Sequence, residues 1–443
     1  MRSRAIVFFI SAVAAVSFRS AVAKEPATDK IPTALQDYVS APDDSYKYEL
    51  KETVEQDGCT IHKLELTSQT WQGIVWKHAL YVYVPSNLRY QNTVLLFITG
   101  GKTGGQPNEE DMAMGVKLAQ AAATPVAFLH QVPNQPLFDD RVEDDLITET
   151  LLRYIETKDA TWPLLFPMVK SAVSAMTAVQ DLAQEKYGVE VEKFVVTGGS
   201  KRGWTSWLTA VADDRVAGIA PIVINHLNFR PQMKYQLETW GEYSEQIADY
   251  TSKGLVEVMF DKPEIPLWLW MDPYTYRSQL TLPKLIINGT NDRYWTVDAT
   301  NLFWDDLVGE KHLRYVPNAG HGLDGGREGA LITLAAFTQH VAAGKPTPKV
   351  DWKYEDADGQ LRLKFDAKPA PESARLWVAH SDTKDFRNAE WKATELKRSD
   401  ADDGGGYVGV VPTSEKGHVA VFGEATFRQG PLKYNLSTGL RRE

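Results

Sequence analysis

The stretch Val195-Val196-Thr197-Gly198-Gly199-Ser200-Lys201-Arg202-Gly203-Trp204 combines an apolar strand, a glycine turn and the beginning of a helix. Ser200 stands at the turn, and the apolar residues that follow share one helix face: Trp204, Trp207, Leu208 and Val211. A strained turn between a strand and a helix is one way in which a fold exposes a serine nucleophile. The usual pattern is G-x-S-x-G, whereas Arg202 stands here at the second glycine position and Gly203 follows it. Taken alone, the stretch also fits an ordinary serine in a loop between a strand and a helix.

Two later segments have the same form of an apolar strand that ends in a glycine turn. The segment 283–292 ends in Asn288-Gly289-Thr290-Asn291-Asp292, and the segment 312–322 places His321 between two glycines. Serine, aspartate and histidine thus follow one another in the order that α/β-hydrolases use, on loops at the carboxyl edge of one sheet. We therefore predict an α/β-hydrolase fold, a mostly parallel sheet with helices on both faces. Ser200 is the predicted nucleophile, His321 the base and Asp292 the acid.

Other residues near these segments could also contribute to the site. Asp298 is an alternative acid, although its position inside a predicted helix over 297–308 makes it less suitable. His226 follows a predicted strand, where it could line a pocket or have a structural role at the edge of an insertion. Lys201 and Arg202 could form surface ion pairs, or one of them could attract an anionic group of a substrate.

The developing oxyanion of an acyl-transfer reaction needs hydrogen-bond donors that are already in place. The backbone N–H of Lys201, directly after the nucleophile, is one candidate. A second candidate is Gly101 in the loop after the apolar run Val94–Ile98, where glycines let a backbone N–H approach the substrate. The alternative for this second segment is a flexible loop with no catalytic role.

The 443 residues exceed one ordinary domain, and the pattern divides them into parts. Residues 24–345 carry the alternation of strands and helices that we assign to the hydrolase domain. Inside it, the aromatic-rich segment of about 226–281 interrupts the alternation and is predicted to form a helical cap over Ser200. After the connector Gly344-Lys345-Pro346-Thr347-Pro348, residues 346–443 show short alternating strands, which predict an all-β, sandwich-like C-terminal domain.

The amino terminus has the composition of a signal peptide, with basic residues, an apolar stretch and a small-residue cleavage site after Ala23. We therefore expect residues 1–23 to be removed and the mature chain to be secreted or periplasmic. Cys59 is the single cysteine, so no disulfide within the chain is possible. The net charge of −10 argues against nucleic acid as a partner, and no segment after the signal peptide predicts a membrane span. No metal-ligand or nucleotide-binding motif occurs, so no cofactor is expected.

Several motifs together resemble the PhoPQ-activated pathogenicity-related protein family, which includes the autocrine proliferation repressor proteins. These motifs are Val132-Pro133-Asn134-Gln135-Pro136, Glu143-Asp144-Asp145-Leu146-Ile147, Trp162-Pro163-Leu164-Leu165-Phe166-Pro167-Met168, Gly199-Ser200-Lys201-Arg202-Gly203-Trp204 and Asn288-Gly289-Thr290-Asn291-Asp292. The resemblance implies an exported α/β-hydrolase with a C-terminal β domain, and peptidase-like activity has been suggested for some relatives. The serine turn is also similar to that of glucuronoyl esterases, in which a basic residue after the serine assists the oxyanion. That similarity implies the same role for Lys201.

The predicted activity is hydrolysis of an ester or amide through an acyl-enzyme, with a small molecule or a peptide as substrate. One alternative is a peptidase or aminopeptidase-like enzyme that acts on short peptides. Another is a non-catalytic exported binding protein on a hydrolase scaffold, because a fold does not determine a function. The sequence carries no signal for the oligomeric state.

Overall fold

The computed structural model describes residues 31–357, 359–399, 405–413 and 416–443. The predicted signal peptide, residues 1–23, lies outside the described residues. Strands occupy β1 (Lys47–Gln56), β2 (Cys59–Trp71), β3 (Ile74–Pro85), β4 (Thr93–Ile98), β5 (Val126–Leu129), β6 (Lys193–Gly199), β7 (Val216–Ile222), β8 (Lys284–Gly289), β9 (Lys311–Val316), β10 (Lys349–Ala357), β11 (Gln360–Lys368), β12 (Ser373–Ser381), β13 (Lys392–Leu396), β14 (Arg398–Ser399), β15 (Gly406–Pro412), β16 (His418–Gln429), β17 (Leu432–Ser437) and β18 (Arg441–Arg442). Helices occupy α1 (Ala34–Ser40), α2 (Glu109–Ala122), α3 (Glu143–Thr157), α4 (Leu165–Tyr187), α5 (Lys201–Ala212), α6 (Phe229–Trp240), α7 (Ala248–Thr251), α8 (Leu255–Asp261), α9 (Leu267–Met271) and α10 (Arg327–Ala342). Among the described residues, no helix is both long enough and apolar enough to cross a bilayer.

The central sheet has the strand order β1-β2-β3-β5-β4-β6-β7-β8-β9. The strands from β5 to β9 in this order pair in parallel, and the strands from β1 to β5 pair antiparallel. Successive residues of β4 pack on opposite faces of the sheet. Leu96 belongs to the hydrophobic core with α4 and α5, whereas Leu95 belongs to the core with α2 and α10. Helices therefore cover both faces, as expected for a fully apolar parallel strand. The predicted α/β fold class is confirmed.

The segment between β7 and β8 forms the predicted helical insertion, with α6, α7, α8 and α9. The Asp272 carboxylate joins its two ends, since it accepts hydrogen bonds from the backbone N–H groups of Asn228 (3.1 Å) and Phe229 (2.8 Å). The indole of Trp204 on α5 donates to the carbonyl of Met271 at 2.7 Å. The helix that follows the nucleophile is thereby attached to the insertion above it.

The prediction of a helix over 297–308 is wrong, because this segment forms short 3-10 helices at Ala299–Leu302 and Trp304–Asp306. Its polar side chains bond to distant parts of the chain. Thr300 donates to the side chain of Asn225 (2.9 Å), and Asn301 donates to the carbonyl of Leu440 (2.9 Å). Threonine and asparagine have low helix propensity, so these tertiary hydrogen bonds override the apolar periodicity of the segment.

The C-terminal strands form two layers, as the sequence predicts, but one layer continues the central sheet. Strand β17 pairs with β9 at Ser437 and Leu313, and the order β17-β16-β12-β13 extends the sheet from there. The other layer, β10-β11-β15-β14, packs across it. Glycines bring the layers close, because a Cβ at Gly423 would lie 2.7 Å from the Phe365 ring. The domain boundary near residue 345 stays a prediction.

Candidate active site

Ser200 occupies a strained turn between β6 and α5. Its φ of 56° and ψ of −127° lie in a region that non-glycine residues rarely adopt, at a cost of about 1–3 kcal/mol. The backbone around it holds this conformation: the N–H of Ser200 donates to the carbonyl of Ile222 (2.8 Å), and Trp204 donates to the carbonyl of Ser200 (3.0 Å). The hydroxyl is thereby placed beyond the carboxyl edge of the sheet.

Close backbone approach explains the glycines on each side of the turn. A Cβ at Gly198 would lie 2.8 Å from the carbonyl oxygen of Ile98, and a Cβ at Gly203 would lie 2.8 Å from the carbonyl oxygen of Gly198. Gly203 therefore has the packing role that the second glycine of G-x-S-x-G usually has, one residue later in the chain. At Gly199, by contrast, an added Cβ would meet no described atom within 4 Å.

This difference predicts unequal effects of adding one methyl group. We expect Gly203→Ala to lower the free energy of unfolding by about 2 kcal/mol, because the new methyl overlaps backbone atoms that cannot move independently. Gly199→Ala, the matched control, should change it by less than about 1 kcal/mol. Urea unfolding of the two variants measures both values. Equal losses in the two variants would contradict the packing role of Gly203.

His321 and Asp292 form a hydrogen-bonded pair, and His321 lines the cavity that Ser200 also lines. The Nδ1 atom of His321 lies 2.8 Å from Oδ2 of Asp292, and Oδ1 of Asp292 accepts a hydrogen bond from the backbone N–H of Tyr294 at 2.9 Å. The Tyr294 ring packs on the imidazole, with ring centroids 4.2 Å apart. Since Nδ1 is bonded to the carboxylate, Nε2 is the nitrogen left for proton exchange.

The Ser200 hydroxyl and the His321 imidazole line the same cavity. Within the described ranges, the structure contains no hydrogen bond between them. Such bonds are often long or poorly aligned before a substrate binds and shorten in the complex, so the missing bond does not exclude His321 as the base. The sequence-predicted trio is therefore brought to one place in the fold.

The loops that carry Asp292 and His321 are bound to the C-terminal region. Asn291 donates to the carbonyl of Ala389 at 2.8 Å. Asn318 accepts from the N–H of Trp391 at 2.7 Å and donates to its carbonyl at 3.0 Å. The C-terminal β region thus supports both loops.

Asp298, the alternative acid, bonds elsewhere. Its Oδ2 accepts from the Tyr235 hydroxyl at 2.6 Å and lies 3.4 Å from Nε of Arg442. This contact joins the cap helix α6 to the C-terminal strand β18. The structure brings Asp292, and not Asp298, into contact with His321.

Lys201 and Arg202 form ion pairs in which both cations are buried, so the alternative of surface ion pairs is wrong. Arg202 binds Glu143 through both terminal nitrogens, at 2.7 and 2.8 Å, and donates through Nε to the carbonyl of Val132 at 2.6 Å. Lys201 Nζ lies 2.7 Å from Glu143 Oε2 and 3.2 Å from Asp144 Oδ1. Both cations belong to the first turn of α5, so they are buried together with the turn that packs into the sheet.

This network sets the charge state of Glu143. Partial burial raises the pKa of Glu143, but its hydrogen bond to Arg202 and the charges of Arg202 and Lys201 outweigh burial and hold that pKa well below its usual range. Gly100 makes room for the arginine, because a Cβ there would lie 2.6 Å from the Arg202 guanidinium. This packing accounts for one of the glycines in the loop after β4.

Glu143→Gln is expected to lower the free energy of unfolding at neutral pH by about 2 kcal/mol, since it leaves two buried cations with less compensating charge. A carboxyl with a lowered pKa stabilises the fold above its unfolded-state pKa, near the ordinary 4.5, and loses this effect as the pH falls further. The difference in the free energy of unfolding between wild type and Glu143→Gln should therefore be constant above about pH 5 and become smaller below it. Urea unfolding as a function of pH measures it, and a difference that grows in acid would contradict the assignment.

The two candidate oxyanion donors, Lys201 and Gly101, differ in their position relative to the cavity. The N–H of Lys201 lies in the first turn of α5, where backbone donors have no intrahelical acceptor and the helix dipole favours negative charge. Gly101 has a φ of +125° and is exposed, and the described residues that line the cavity do not include it. The oxyanion role of both residues stays a prediction.

The cavity above Ser200 has a volume of about 110 Å³, and its walls are almost entirely apolar. Cap residues form much of it: Ile247, Leu255, Val256, Met259, Trp268 and Met271. The Tyr250 and Tyr294 hydroxyls point to Asp144, at 2.9 and 3.5 Å. Burial raises the pKa of both tyrosines, so both stay neutral donors. Within the described ranges, no group of three or more histidine, cysteine, aspartate or glutamate side chains is placed to bind a metal ion.

Sequence reasoning missed the part of the site that comes from α3. Asp144 lies in an acidic triplet, Glu143–Asp145, that was visible as a motif but carried no assigned role. Tyr294 could have been found from its position two residues after Asp292.

His226 lines the cavity, which is one of the two roles considered for it from the sequence. Burial lowers the pKa of His226 to about 3, and the Ile224 backbone has a smaller opposing effect, so the imidazole is neutral.

Comparison with known proteins gives the family. A model of the PhoPQ-activated pathogenicity-related protein family matches residues 35–387. Autocrine proliferation repressor protein A of Dictyostelium discoideum is 34% identical over 378 residues, which cover 80% of this chain and 76% of that protein. Similar solved structures include acetyl xylan esterase 1 from Thermoanaerobacterium sp. (TM-score 0.48, 14% identity, 71% of this chain and 96% of that chain) and a glucuronoyl esterase from Solibacter usitatus (TM-score 0.44, 13% identity, 69% and 91%). The predicted family is confirmed, and the chain belongs to the PhoPQ-activated pathogenicity-related protein family.

Proposed function

We propose that this protein is a serine hydrolase that cleaves esters through an acyl-enzyme on Ser200. One observation carries the proposal: a serine in a strained strand-to-helix turn and a histidine bonded to a buried aspartate open into one apolar cavity. A serine hydroxyl is a weak nucleophile at neutral pH and requires a base that can reach it. The His321–Asp292 pair has the form of such a base.

In the proposed reaction, Ser200 Oγ attacks the carbonyl carbon of the ester while its proton passes to His321 Nε2. The tetrahedral intermediate collapses as the bond to the alcohol oxygen breaks, and the imidazolium returns the proton to that oxygen. Water then attacks the acyl-enzyme with His321 as the base again, which releases the acid and restores the Ser200 hydroxyl. Asp292 holds the tautomer and stabilises the imidazolium, and the amide of Lys201 is the proposed oxyanion donor.

The charges around Ser200 favour an uncharged substrate. Glu143 and Asp144 are compensated by Lys201 and Arg202, so no carboxylate of this network is left to bind the amino group of a peptide. The accessible surface of the cavity is almost entirely apolar, and its other polar side chains, such as His226, carry no net charge. An ester with a short apolar chain or a single ring fits these walls better than an aminoacyl group.

A comparison of two substrate sets tests this assignment. We expect 4-nitrophenyl esters of short-chain acids to be hydrolysed with kcat/KM at least about tenfold above 4-nitrophenyl esters of amino acids, which have the same leaving group, because burying an amino group without a partner costs at least about 1.4 kcal/mol. Faster cleavage of the aminoacyl esters would favour the peptidase alternative. If neither set is cleaved and Ser200 does not react with a fluorophosphonate, the chain is a binding protein on a hydrolase scaffold.

Export is part of the proposal and rests on the composition of residues 1–23. Expression of the full chain with its native amino terminus, followed by cell fractionation, tests it. We expect the mature protein to begin after Ala23 and to be found outside the cytoplasm. An uncleaved chain in the cytoplasmic fraction would contradict this part alone.

A further inference from the structure

His226 is a buried polar residue in the wall of the candidate substrate cavity. It is 4% exposed and lies among aromatic rings, with ring centroids 4.7 Å from Trp204, 5.2 Å from Phe229 and 5.7 Å from Trp295. Neither ring nitrogen forms a hydrogen bond of normal geometry with any described residue. The backbone of Ile224 also affects the imidazole, but it does not form a hydrogen bond of normal length and angle with either ring nitrogen.

Such an arrangement needs a physical reason. A neutral imidazole carries one donor and one acceptor, and leaving them unpaired in a buried site destabilises the fold. A leucine or phenylalanine at this position would avoid that penalty among these apolar neighbours. His78, which is also buried, is fully bonded, to Ser68 (2.9 Å) and to the carbonyl of His130 (2.9 Å). Nε2 of the buried His130 also lacks a partner, but His130 does not line this cavity. His226 differs from both, because both of its ring nitrogens are unpaired and it lines the cavity.

We propose that His226 is a specificity residue that hydrogen-bonds an uncharged oxygen, a hydroxyl or carbonyl, on the otherwise apolar part of the ester bound in this cavity. This inference rests on the proposed esterase function and deepens it by naming the substrate class. The apolar walls bind the carbon skeleton, and the His226 imidazole pairs with its one polar group. An isosteric substrate with a methyl group at that place would leave the imidazole unpaired, which is how buried polar sites reject such analogues.

Two pairs of esters, each differing by one methyl-to-hydroxyl exchange, test the inference. The first pair is 4-nitrophenyl 3-methylbutanoate and 4-nitrophenyl 3-hydroxybutanoate, which vary the acyl side. The second is 4-methylphenyl acetate and 4-hydroxyphenyl acetate, which vary the alcohol side. In at least one pair, wild type should have a kcat/KM about 10- to 100-fold higher for the hydroxyl member. His226→Leu should remove this preference, and His226→Gln, which keeps a donor and an acceptor, should retain part of it.

Phe229→Leu is the matched control, since it alters the same wall without removing a hydrogen-bonding group. It should change kcat/KM for both members of a pair by similar factors. The apparent unfolding temperature of His226→Leu should equal or exceed that of wild type, whereas a purely structural histidine would give a lower one.

The results separate the inference from the proposed function. If Ser200 reacts with a fluorophosphonate but wild type shows no preference in either pair, or if the preference persists in His226→Leu, the role of His226 is overturned and the esterase assignment is not. If Ser200 is unreactive and wild type cleaves none of the esters, both assignments are overturned.

Discussion

Ser200→Ala is expected to lower kcat for ester hydrolysis by roughly 10⁵- to 10⁶-fold, the loss seen when the nucleophile of a serine hydrolase triad is removed. The change deletes the atom that forms the acyl-enzyme, so no other residue of the site can replace it. The fold should remain intact, because the described residues offer the Ser200 hydroxyl no hydrogen-bond partner and alanine can adopt the same strained turn at similar cost. Steady-state kinetics and circular dichroism of the purified variant measure both expectations.

Ser206→Ala is the control for this prediction. Ser206 lies on the same helix, and its hydroxyl donates to the carbonyl of Arg202 at 2.8 Å, away from the cavity. Its removal should change kcat by less than about threefold, because no group that lines the cavity moves. Retained hydrolysis in pure Ser200→Ala would remove Ser200 from the mechanism.

Asp292→Asn is expected to lower kcat by roughly 10⁴-fold, as in other triads that lose their acid. The hydrogen bonds of the carboxylate explain why. Oδ1 of Asp292 accepts from the backbone N–H of Tyr294, so the asparagine carbonyl oxygen will occupy that position and its amide NH₂ will face His321. The NH₂ group donates to Nδ1, which places the imidazole proton on Nε2. In that tautomer His321 cannot accept the proton of Ser200.

Asp298→Asn is the matched control, since it makes the same chemical change at the alternative acid. It weakens the contact of Asp298 with Tyr235 and Arg442 and should therefore affect stability more than chemistry. We expect its kcat to remain within about tenfold of wild type. A smaller loss for Asp292→Asn than for Asp298→Asn would reverse the assignment of the acid.

Local pattern predicted much of the fold and the candidate site. The turns that carry Ser200, Asp292 and His321 each follow an apolar strand, so their chain order was enough to place them at one sheet edge. The helix over 297–308 failed for the opposite reason: its apolar periodicity was real, but hydrogen bonds to Asn225 and to residue 440 decided its conformation. No local pattern reports bonds of that kind.

The contacts that organise the candidate site from a distance could not be predicted for the same reason. Glu143 reaches Lys201 and Arg202 from α3, and nothing in the acidic triplet identifies which cations it meets. The C-terminal strands join the central sheet through β17 and β9, a pairing between segments far apart in the chain. Asn318 and its partner Trp391 belong to the same long-range arrangement.

The central claim is that the His321–Asp292 pair activates Ser200, and its most direct measurement is the rate of covalent labelling by a fluorophosphonate, with the modified residue mapped by mass spectrometry. The account predicts stoichiometric labelling of wild type at Ser200. It also predicts labelling at least about a thousandfold slower in His321→Ala, because the probe reacts only with a serine whose proton can be removed. No labelling of wild type, or equal rates in wild type and His321→Ala, would contradict it.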